Sequence, residues 1–522
     1  MNSLSALDKA LISGNLSYLY RMDSFDFLVL SIYFLTLIVL SVYGVRRFYY
    51  LRLFKKYKNF RFRPLKKFPE EPMVTVQLPM YNEMYVGPRV LDAVCKLDWP
   101  KNKLHIQVLD DSTDETVEIM KRSVKYWRDR GFDIEYIHRK NRVGFKAGAL
   151  ENGLKTAKGE IIAIFDADFI PHEDFLRKTV DYFTDEEVGI VQTRWVHINR
   201  DYSLLTKLQS ILLDGHFMLE SLPRSRAGFF VNFNGTAGLW RKRAIEDAGG
   251  WEHDTITEDL DLSLRAQLKG WKFVYLPEVV CPAELPVEMN GFKSQQNRWA
   301  KGGMQVCKKL LPKILKSDIN KKIKEECFFH LSSNISYPLM ILLSIMILPV
   351  IIVRFNQGVF EMLFLDLPIF VASTLFVFLF YLESQRALYV DWKKRAFLIP
   401  LAMSLGVGIS LINGKGVIEA ILGIKSSFVR TPKYSIVSKI DSWTGKKYRE
   451  KIKLTTLFEI GFVIYFLWIC VYSTLMGNVG VVPFMLFFIF GFSYTGFSSL
   501  FSSLKIGSPF SIFKFRRNLE AD

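Results

Sequence analysis

Four clusters of polar residues close apolar runs, where side chains can meet a ligand. The first is Asp110-Asp111-Ser112, at the end of His105 to Leu109. Asp and Ser at this position can hold a ligand or cap the helix that follows. The second is Asp166-Ala167-Asp168, after Ile161 to Phe165. Strand alternation puts Asp166 and Asp168 on one side, able to meet one ion. Carboxylates this close repel unless a cation neutralises them. A hard divalent ion held by one or two carboxylates and by substrate phosphates fits, and a solvated acidic turn is the alternative. The third is Thr257-Glu258-Asp259, followed by Leu260-Asp261-Leu262. Thr257 can cap a helix with an acidic first turn, or Asp259 can act as a general base toward an attacking hydroxyl. The fourth is Gln295-Gln296-Asn297-Arg298-Trp299. Trp299 offers a flat apolar face for a sugar ring, and Arg298 a fork that fits phosphate oxygens. An amphipathic helix with a snorkelling Arg is the alternative.

A scaffold must bring these clusters together. From about Pro72 to Lys309, short β-branched runs alternate with amphipathic stretches. Val74 to Leu78, His105 to Leu109 and Ile161 to Phe165 read as strands, and Asp114 to Arg130 as a helix. Strands spaced by helices imply βαβ units and a mostly parallel sheet. Ligands bind beyond the carboxyl ends of such strands, which is where two of the acidic clusters fall.

The flanks differ. Half of the 522 residues are hydrophobic and mean hydropathy is +0.14, although 23% are charged. Apolar and charged residues are therefore segregated. Phe25 to Tyr43 is long enough to cross a hydrocarbon core, and no small-residue cleavage site follows, so it is expected to stay as an anchor. Part of the net charge of +17 lies in Arg46, Arg47, Arg52, Lys55, Lys56, Lys58, Arg61, Arg63, Lys66 and Lys67, just after that run. This positive-inside pattern puts the middle domain in the cytosol and suggests affinity for anionic headgroups. No nucleic-acid motif accompanies the charge, so no nucleic-acid partner is expected. Further spans are expected at Phe328 to Val353, Leu363 to Leu382, Thr455 to Leu475 and Val481 to Leu500, five in all. Ala396 to Ile424 is Gly- and Pro-broken and carries Lys415 and Glu419. It reads as interfacial or re-entrant. The tail with Lys514, Arg516 and Arg517 then falls inside. The five cysteines show no disulfide or zinc spacing, in keeping with a reducing cytosol.

Taken in order, DD, DxD, TED and QxxRW resemble the processive members of glycosyltransferase family 2: cellulose, hyaluronan and chitin synthases and the plant cellulose-synthase-like mannan and glucan synthases. The likeness covers about Pro72 to Lys309 and extends loosely beyond. Leu78-Pro79-Met80-Tyr81-Asn82-Glu83 resembles the first nucleotide-contacting loop. Gly144 to Leu150 resembles the segment whose Lys146 approaches the phosphates. Val191-Gln192-Thr193 and Phe233 to Gly238 resemble acceptor-side segments. Phe428-Val429-Arg430-Thr431-Pro432-Lys433 looks like the gating loop FxVTxK, with Arg430 in place of Val; a basic interfacial linker is the other reading. Asn234 to Trp240, Glu258 to Leu276 and Glu284-Leu285-Pro286 look closest to the plant mannan- and xyloglucan-backbone synthases.

The resemblance implies an α/β fold, a GT-A (Rossmann-like) cytosolic domain over residues 70–310. An anchor precedes it over 1–50. Interfacial helices, gating loop and channel follow over 311–522. It implies inverting single displacement from a nucleotide sugar to a polysaccharide acceptor in a lipid membrane, bacterial inner or Golgi, with export or accessory subunits as further partners. Donor-binding residues would be Tyr81, Glu83, Asp110, Asp111, Lys146, Asp166, Gln295 and Arg298. Asp168, helped by Asp166, would bind Mg²⁺ or Mn²⁺. Asp259 would be the base, beside Glu258. Gly235 and Trp299 would face the acceptor, with Phe428, Thr431 and Lys433 on the gating loop. UDP-glucose and GDP-mannose both remain open as donor, UDP-glucose being preferred, and β-1,4 linkage is implied by the resemblance alone. Two rivals stand: a non-processive transferase acting on a lipid carrier, and a transporter or receptor with a non-catalytic sugar-nucleotide domain.

Overall fold

The computed structural model describes residues 23–357, 363–425, 430–448, 452–477 and 479–503. Phe428 and the basic tail at Lys514, Arg516 and Arg517 lie outside the described residues.

Seven strands form one mixed sheet. They are β1 (Val74–Met80), β2 (Leu104–Asp110), β3 (Asp133–His138), β4 (Ile161–Ile164), β5 (Val188–His197), β6 (Gly238–Arg241) and β7 (Lys272–Ala283). Their spatial order is β3-β2-β1-β4-β6-β5-β7. β1 pairs in parallel with β2 and β4, β2 with β3, and β5 with β7, while β6 runs antiparallel between β4 and β5. β1 and β2 are buried on both faces, and the buried polar residues between their apolar ones bond one another, as Gln77 Nε2 does to Gln107 Oε1 at 3.0 Å. One face packs Val76, Leu78, Ile106 and Val108 against the helix Thr116–Arg128; the other packs Leu109, Ile162, Ile164 and Trp240 against the helices behind. Met80, Asp110 and His138 are in register, so the carboxyl ends of β1, β2 and β3 open on one edge.

The helices used below are α1 (Ser24–Tyr57), α2 (Phe145–Leu154), α3 (Leu204–Gly215), α4 (Glu258–Leu268), α5 (Met289–Lys316), α6 (Lys321–Ser332), α7 (Ser336–Gln357), α8 (Leu363–Leu388), α9 (Ile399–Gly408), α10 (Ser410–Ile421), α11 (Thr455–Leu475) and α12 (Val482–Ser503). Among the described residues, four helical stretches are long and apolar enough to cross a membrane: Ser24–Tyr57, Lys321–Arg354, Thr455–Leu475 and Val479–Ser502. The expected span at Leu363 to Leu382 is the helix α8, which lies along α1 with Phe376 against Phe48. The broken stretch is two helices, α9 and α10, bent by 43°. α1 runs well past Tyr43, because its basic last third is not all solvated. Tyr50, Leu51 and Phe54 are buried against the sheet's outer helices, while Lys55, Lys56 and Lys58 stay exposed.

Candidate functional site

A cleft lies beyond the carboxyl ends of β1, β2 and β4. It is walled by Tyr81, Glu83, Asp111, Lys146, Asp166, Asp168, Gly235, Glu258, Asp259, Gln295, Arg298, Trp299, Thr431 and Lys433. Residues from all four clusters and from the 430–433 segment thus meet in one place. Asp110 is the exception. Its carboxylate is fully buried beneath the cleft, where Oδ2 accepts from the Tyr136 hydroxyl at 2.6 Å and Oδ1 from the Ser112 N–H at 2.8 Å. Asp111 faces the cleft edge, gripped by both forks of Arg139, with Nε 2.7 Å from Oδ1. The first Asp of the pair fixes the turn, and the second lines the wall.

β4 stops at Ile164, so Asp166 and Asp168 sit in a turn closed by the Phe169 N–H on the Asp166 carbonyl at 3.0 Å. Strand alternation does not place them; the turn does. Asp166 Oδ1 accepts from Lys146 Nζ at 2.5 Å, and Lys146 also reaches the Gly235 carbonyl at 2.9 Å. Lys146 starts α2, the first helix after the β3 loop. Asp168 Oδ2 accepts from Lys433 Nζ at 2.8 Å and from the Glu284 N–H at 3.3 Å. Lys433 donates again to the Glu284 carbonyl, and Glu284 Oε1 accepts the Tyr434 N–H at 2.8 Å. Each carboxylate of the turn is therefore balanced by a lysine ammonium. Two oxygen-donor carboxylates fit a hard ion that takes its remaining ligands from a diphosphate and water. Among the described residues, the group of three carboxylates close enough for an ion is Glu252, Asp254 and Asp261, none of which lines the cleft, and Lys309 already bridges it.

Asp259 and Glu258 open α4. Thr257 makes no side-chain capping bond; its methyl and hydroxyl pack against α5 at Gly302, where a Cβ would lie 2.5 Å from the Thr257 methyl. Asp259 points at Gly235, whose φ of +79° and lack of Cβ are both needed: an added Cβ would lie 2.8 Å from Asp259 Oδ2. Burial raises the Asp259 carboxyl, and Lys146 partly opposes that rise. Burial, then the neighbouring Asp259, pushes Glu258 up to about 7. Carboxyls raised in this way hold a proton more readily than free ones, as a general base must.

Gln295, Arg298 and Trp299 project from α5, and Arg298 Nη2 reaches Thr431 Oγ1 at 3.4 Å. Arg430, which departs from the gating-loop pattern, has a partner: its Nη1 lies 2.6 Å from Glu83 Oε2, and its guanidinium sits over Tyr448. Despite Arg430, burial pushes Glu83 up to about 7. Tyr81 carries the Arg142 guanidinium 3.2 Å from its ring centre. A second cavity, of about 610 Å³, shares Asn234, Asp259, Gln295 and Trp299 with the cleft and continues between the apolar helices to Phe487 and Phe488.

Sequence reasoning missed Tyr136, Arg139 and Arg142, the partners of Asp110, Asp111 and Tyr81. The basic stretch Arg139-Lys140-Asn141-Arg142 before Gly144 was the available signal. His197, half-buried in the cleft wall with its pKa pushed down to about 3 by desolvation, left no signal at all.

Residues 71–302 match the family model described as Glycosyltransferase like family 2. A probable glucomannan 4-beta-mannosyltransferase 11 of Oryza sativa subsp. japonica is 46% identical over 257 residues, 48% of this chain and 45% of the relative. A glucomannan 4-beta-mannosyltransferase 1 of the same organism is 45% identical over 257 residues, 48% of this chain and 49% of the relative. The matched segment thus spans about half the length of these relatives. A mannosyltransferase from Pyrobaculum calidifontis, solved with GDP-Man and Mn²⁺, superposes with a TM-score of 0.51 at 20% identity, over 76% of this chain and 100% of that one. That likeness gives the sheet its GT-A-like fold.

Proposed function

We propose that the protein, whose residues 71–302 match the family model described as Glycosyltransferase like family 2, is a membrane-embedded inverting hexosyltransferase that extends a β-linked, β-1,4 polysaccharide from a nucleotide sugar. Of the two donors the sequence left open, the names of both rice relatives favour GDP-mannose over the UDP-glucose preferred from sequence. One observation carries the reading. Asp166, Asp168 and Asp259 share a cleft with Lys146 and Arg298, and that cleft opens into a cavity between the apolar helices.

Asp166 and Asp168 would hold Mg²⁺ or Mn²⁺, which when bound neutralises a departing diphosphate. Lys146 and Arg298 add fixed positive charge at the same place, where developing charge is best met by preorganised groups. Gln295 holds the diphosphate, and Tyr81, Glu83 and Asp111 line the nucleotide side. Asp110 acts from behind, fixing the turn that carries Asp111. Asp259 accepts the proton of the acceptor hydroxyl as that oxygen attacks the anomeric carbon, and the burial that raises its carboxyl makes it a stronger base. Glu258 sits beside it. Trp299 stacks the terminal acceptor sugar, and Gly235 leaves room for it. Thr431 and Lys433 cover the donor. The catalytic domain, over residues 70–310, faces the cytosol, and the growing chain leaves through the second cavity, formed with residues 311–522 and the anchor within 1–50.

Purified protein supplied with GDP-mannose or UDP-glucose and Mn²⁺ tests this. Label is expected in a polymer from GDP-mannose, cut by a β-1,4-mannanase, and EDTA is expected to stop its formation. No incorporation from any nucleotide sugar refutes the proposal.

A further inference from the structure

A third cavity, of about 390 Å³, adjoins the cleft and is not used by the transfer chemistry. That volume falls in the range of small-molecule sites, about 300–1,000 Å³. One wall is the end of β5 and the turn after it, with His197, Arg200 and Tyr202. The other is Val437, Ser438 and Lys439, a few residues beyond Lys433. His197 lines both this cavity and the cleft. The two walls touch at one edge, where the Tyr202 hydroxyl donates to the Asp441 carbonyl at 3.3 Å. Asp441 Oδ2 accepts the Val437 and Ser438 N–H groups at 2.8 and 2.7 Å, so its charge is satisfied inside its own turn.

The walls carry more positive charge than they neutralise. Arg200 donates from Nε and Nη2 to Asp201 Oδ2 at 3.2 and 2.8 Å, and Asp201 is more than half exposed. An exposed pair of this kind is weak and yields to a better-placed anion. Lys439 is exposed and makes no ion pair among the described residues. Both ring nitrogens of His197 are buried and have no hydrogen-bond partner. Desolvation, then the cations Arg194, Lys433 and Arg200, push its pKa down to about 3, so the ring is neutral and offers one donor and one acceptor. Its terminal torsion is broad, and a rotation turns a nitrogen to an occupant. A cation would be repelled here, and an apolar occupant would leave these groups unmet. A phosphate suits the guanidinium fork and the ammonium, and a hydroxyl on the same ligand suits the ring and Ser438. The Arg200 guanidinium lies 5.2 Å from the ring centre of Tyr389, the residue that follows α8, so the mouth is open both to a soluble phosphate and to a lipid headgroup.

We propose that His197, Arg200, Ser438 and Lys439 form an effector site for a phosphate monoester, whose occupant bridges the turn after β5 to the 437–439 segment and so holds Thr431 and Lys433 over the donor. The site itself goes beyond the glycosyltransferase reading above, and its effect on the donor rests on that reading. The ligand's contacts come from two distant segments and exist together only when those segments are docked. It therefore binds the docked arrangement better than any other and shifts the protein toward it.

The test titrates glycerol 3-phosphate by calorimetry into the full-length protein in detergent, saturated with GDP and Mn²⁺ so that the catalytic phosphate site is already filled. One further binding event is expected. Arg200→Gln and, separately, Lys439→Gln are each expected to weaken it about 10- to 100-fold, the loss of one hydrogen bond to a charged group. GDP affinity without the phosphate is expected to stay as in the wild type. Glycerol 3-phosphate is expected to lower the GDP Kd about fivefold or more, and GDP to tighten glycerol 3-phosphate by the same factor. Repeating the titration in phosphatidylcholine vesicles with and without phosphatidate identifies the source: phosphatidate displaces the soluble titrant if a headgroup fills the cavity, and leaves it unchanged if the ligand is soluble. No uptake by the GDP-saturated protein, or undiminished uptake by both variants, overturns the site. Uptake with no effect on GDP overturns the bridging role. Uptake by a protein that binds neither GDP nor UDP sinks the transferase reading and leaves the site standing.

Discussion

Lys433 sits where a metal would compete with it. Its ammonium is 2.8 Å from Asp168 Oδ2, and both side chains are only 10% exposed. At an effective dielectric of ~20, a unit-charge pair at ~4 Å is worth about 4 kcal/mol before desolvation is charged against it. The net worth of a hydrogen bond between charged groups is nearer ~1.5–3 kcal/mol. That is what a divalent ion must replace before it can hold Asp168 in the donor-free protein. Lys433→Met removes the competitor and leaves Asp168 in place. Mn²⁺ binding to donor-free protein should therefore tighten about 10- to 100-fold, at ~1.4 kcal/mol per tenfold. Titration calorimetry or the loss of free Mn²⁺ signal in electron paramagnetic resonance measures this without any turnover. Lys433→Arg keeps the charge and should stay close to wild type, and Asp168→Asn should abolish binding. An unchanged or weaker Mn²⁺ affinity in Lys433→Met would refute the reasoning, either because Asp168 is no ligand or because Lys433 does not compete for it.

Asp259→Asn should cut transfer by about 10²–10⁴-fold, the usual worth of a general base, while donor affinity stays within a few-fold; incorporation of labelled sugar and nucleotide binding read the two. The carboxyl of Asp259 is raised by burial, so its base form is lost at a higher pH than that of an ordinary aspartate. Lys146 opposes that rise, so Lys146→Met should move the acid limb of the kcat/KM profile to higher pH, and a limb that stays put or moves down would count against Asp259 as the base. Gly235→Ala should lose most transfer, because its Cβ would lie 2.8 Å from Asp259 Oδ2 at a φ of +79°; full activity would show that Asp259 need not be where it is. Lys293 and Glu459 form an ion pair with both side chains fully buried, 2.5 Å apart. Lys293→Met should cost about 3–5 kcal/mol by leaving a lone buried carboxylate, and adding Glu459→Leu should recover most of it, as thermal unfolding in detergent would report.

Much of this protein could be read from local sequence, because strands, turns and apolar spans are set by neighbours in the chain. The β-branched runs ending at Leu78, Leu109 and Phe165 gave strands within two residues of β1, β2 and β4. The acidic pairs and the QxxRW cluster fell at their ends or on α5, where one cleft gathers Asp111, Asp166, Asp168, Asp259, Arg298 and Trp299. Hydrophobic length marked α11 residue for residue. Partners far along the chain were another matter. Asp110 and Asp111 look equivalent in sequence, yet only the packing of β3 against β2 brings Tyr136 to Asp110 and turns that carboxylate away from the cleft. Lys433 lies 265 residues from Asp168, and Arg430 comes from the same remote segment to meet Glu83. Likewise α1 keeps its helix into a basic stretch because Tyr50 and Phe54 find a buried surface that composition does not show. A side chain's type and its place on a strand or helix follow from short-range covalent geometry. Which opposite charge or surface it meets depends on how the whole chain closes, since burial and pairing are shared between distant segments, and so only the tertiary structure decides it.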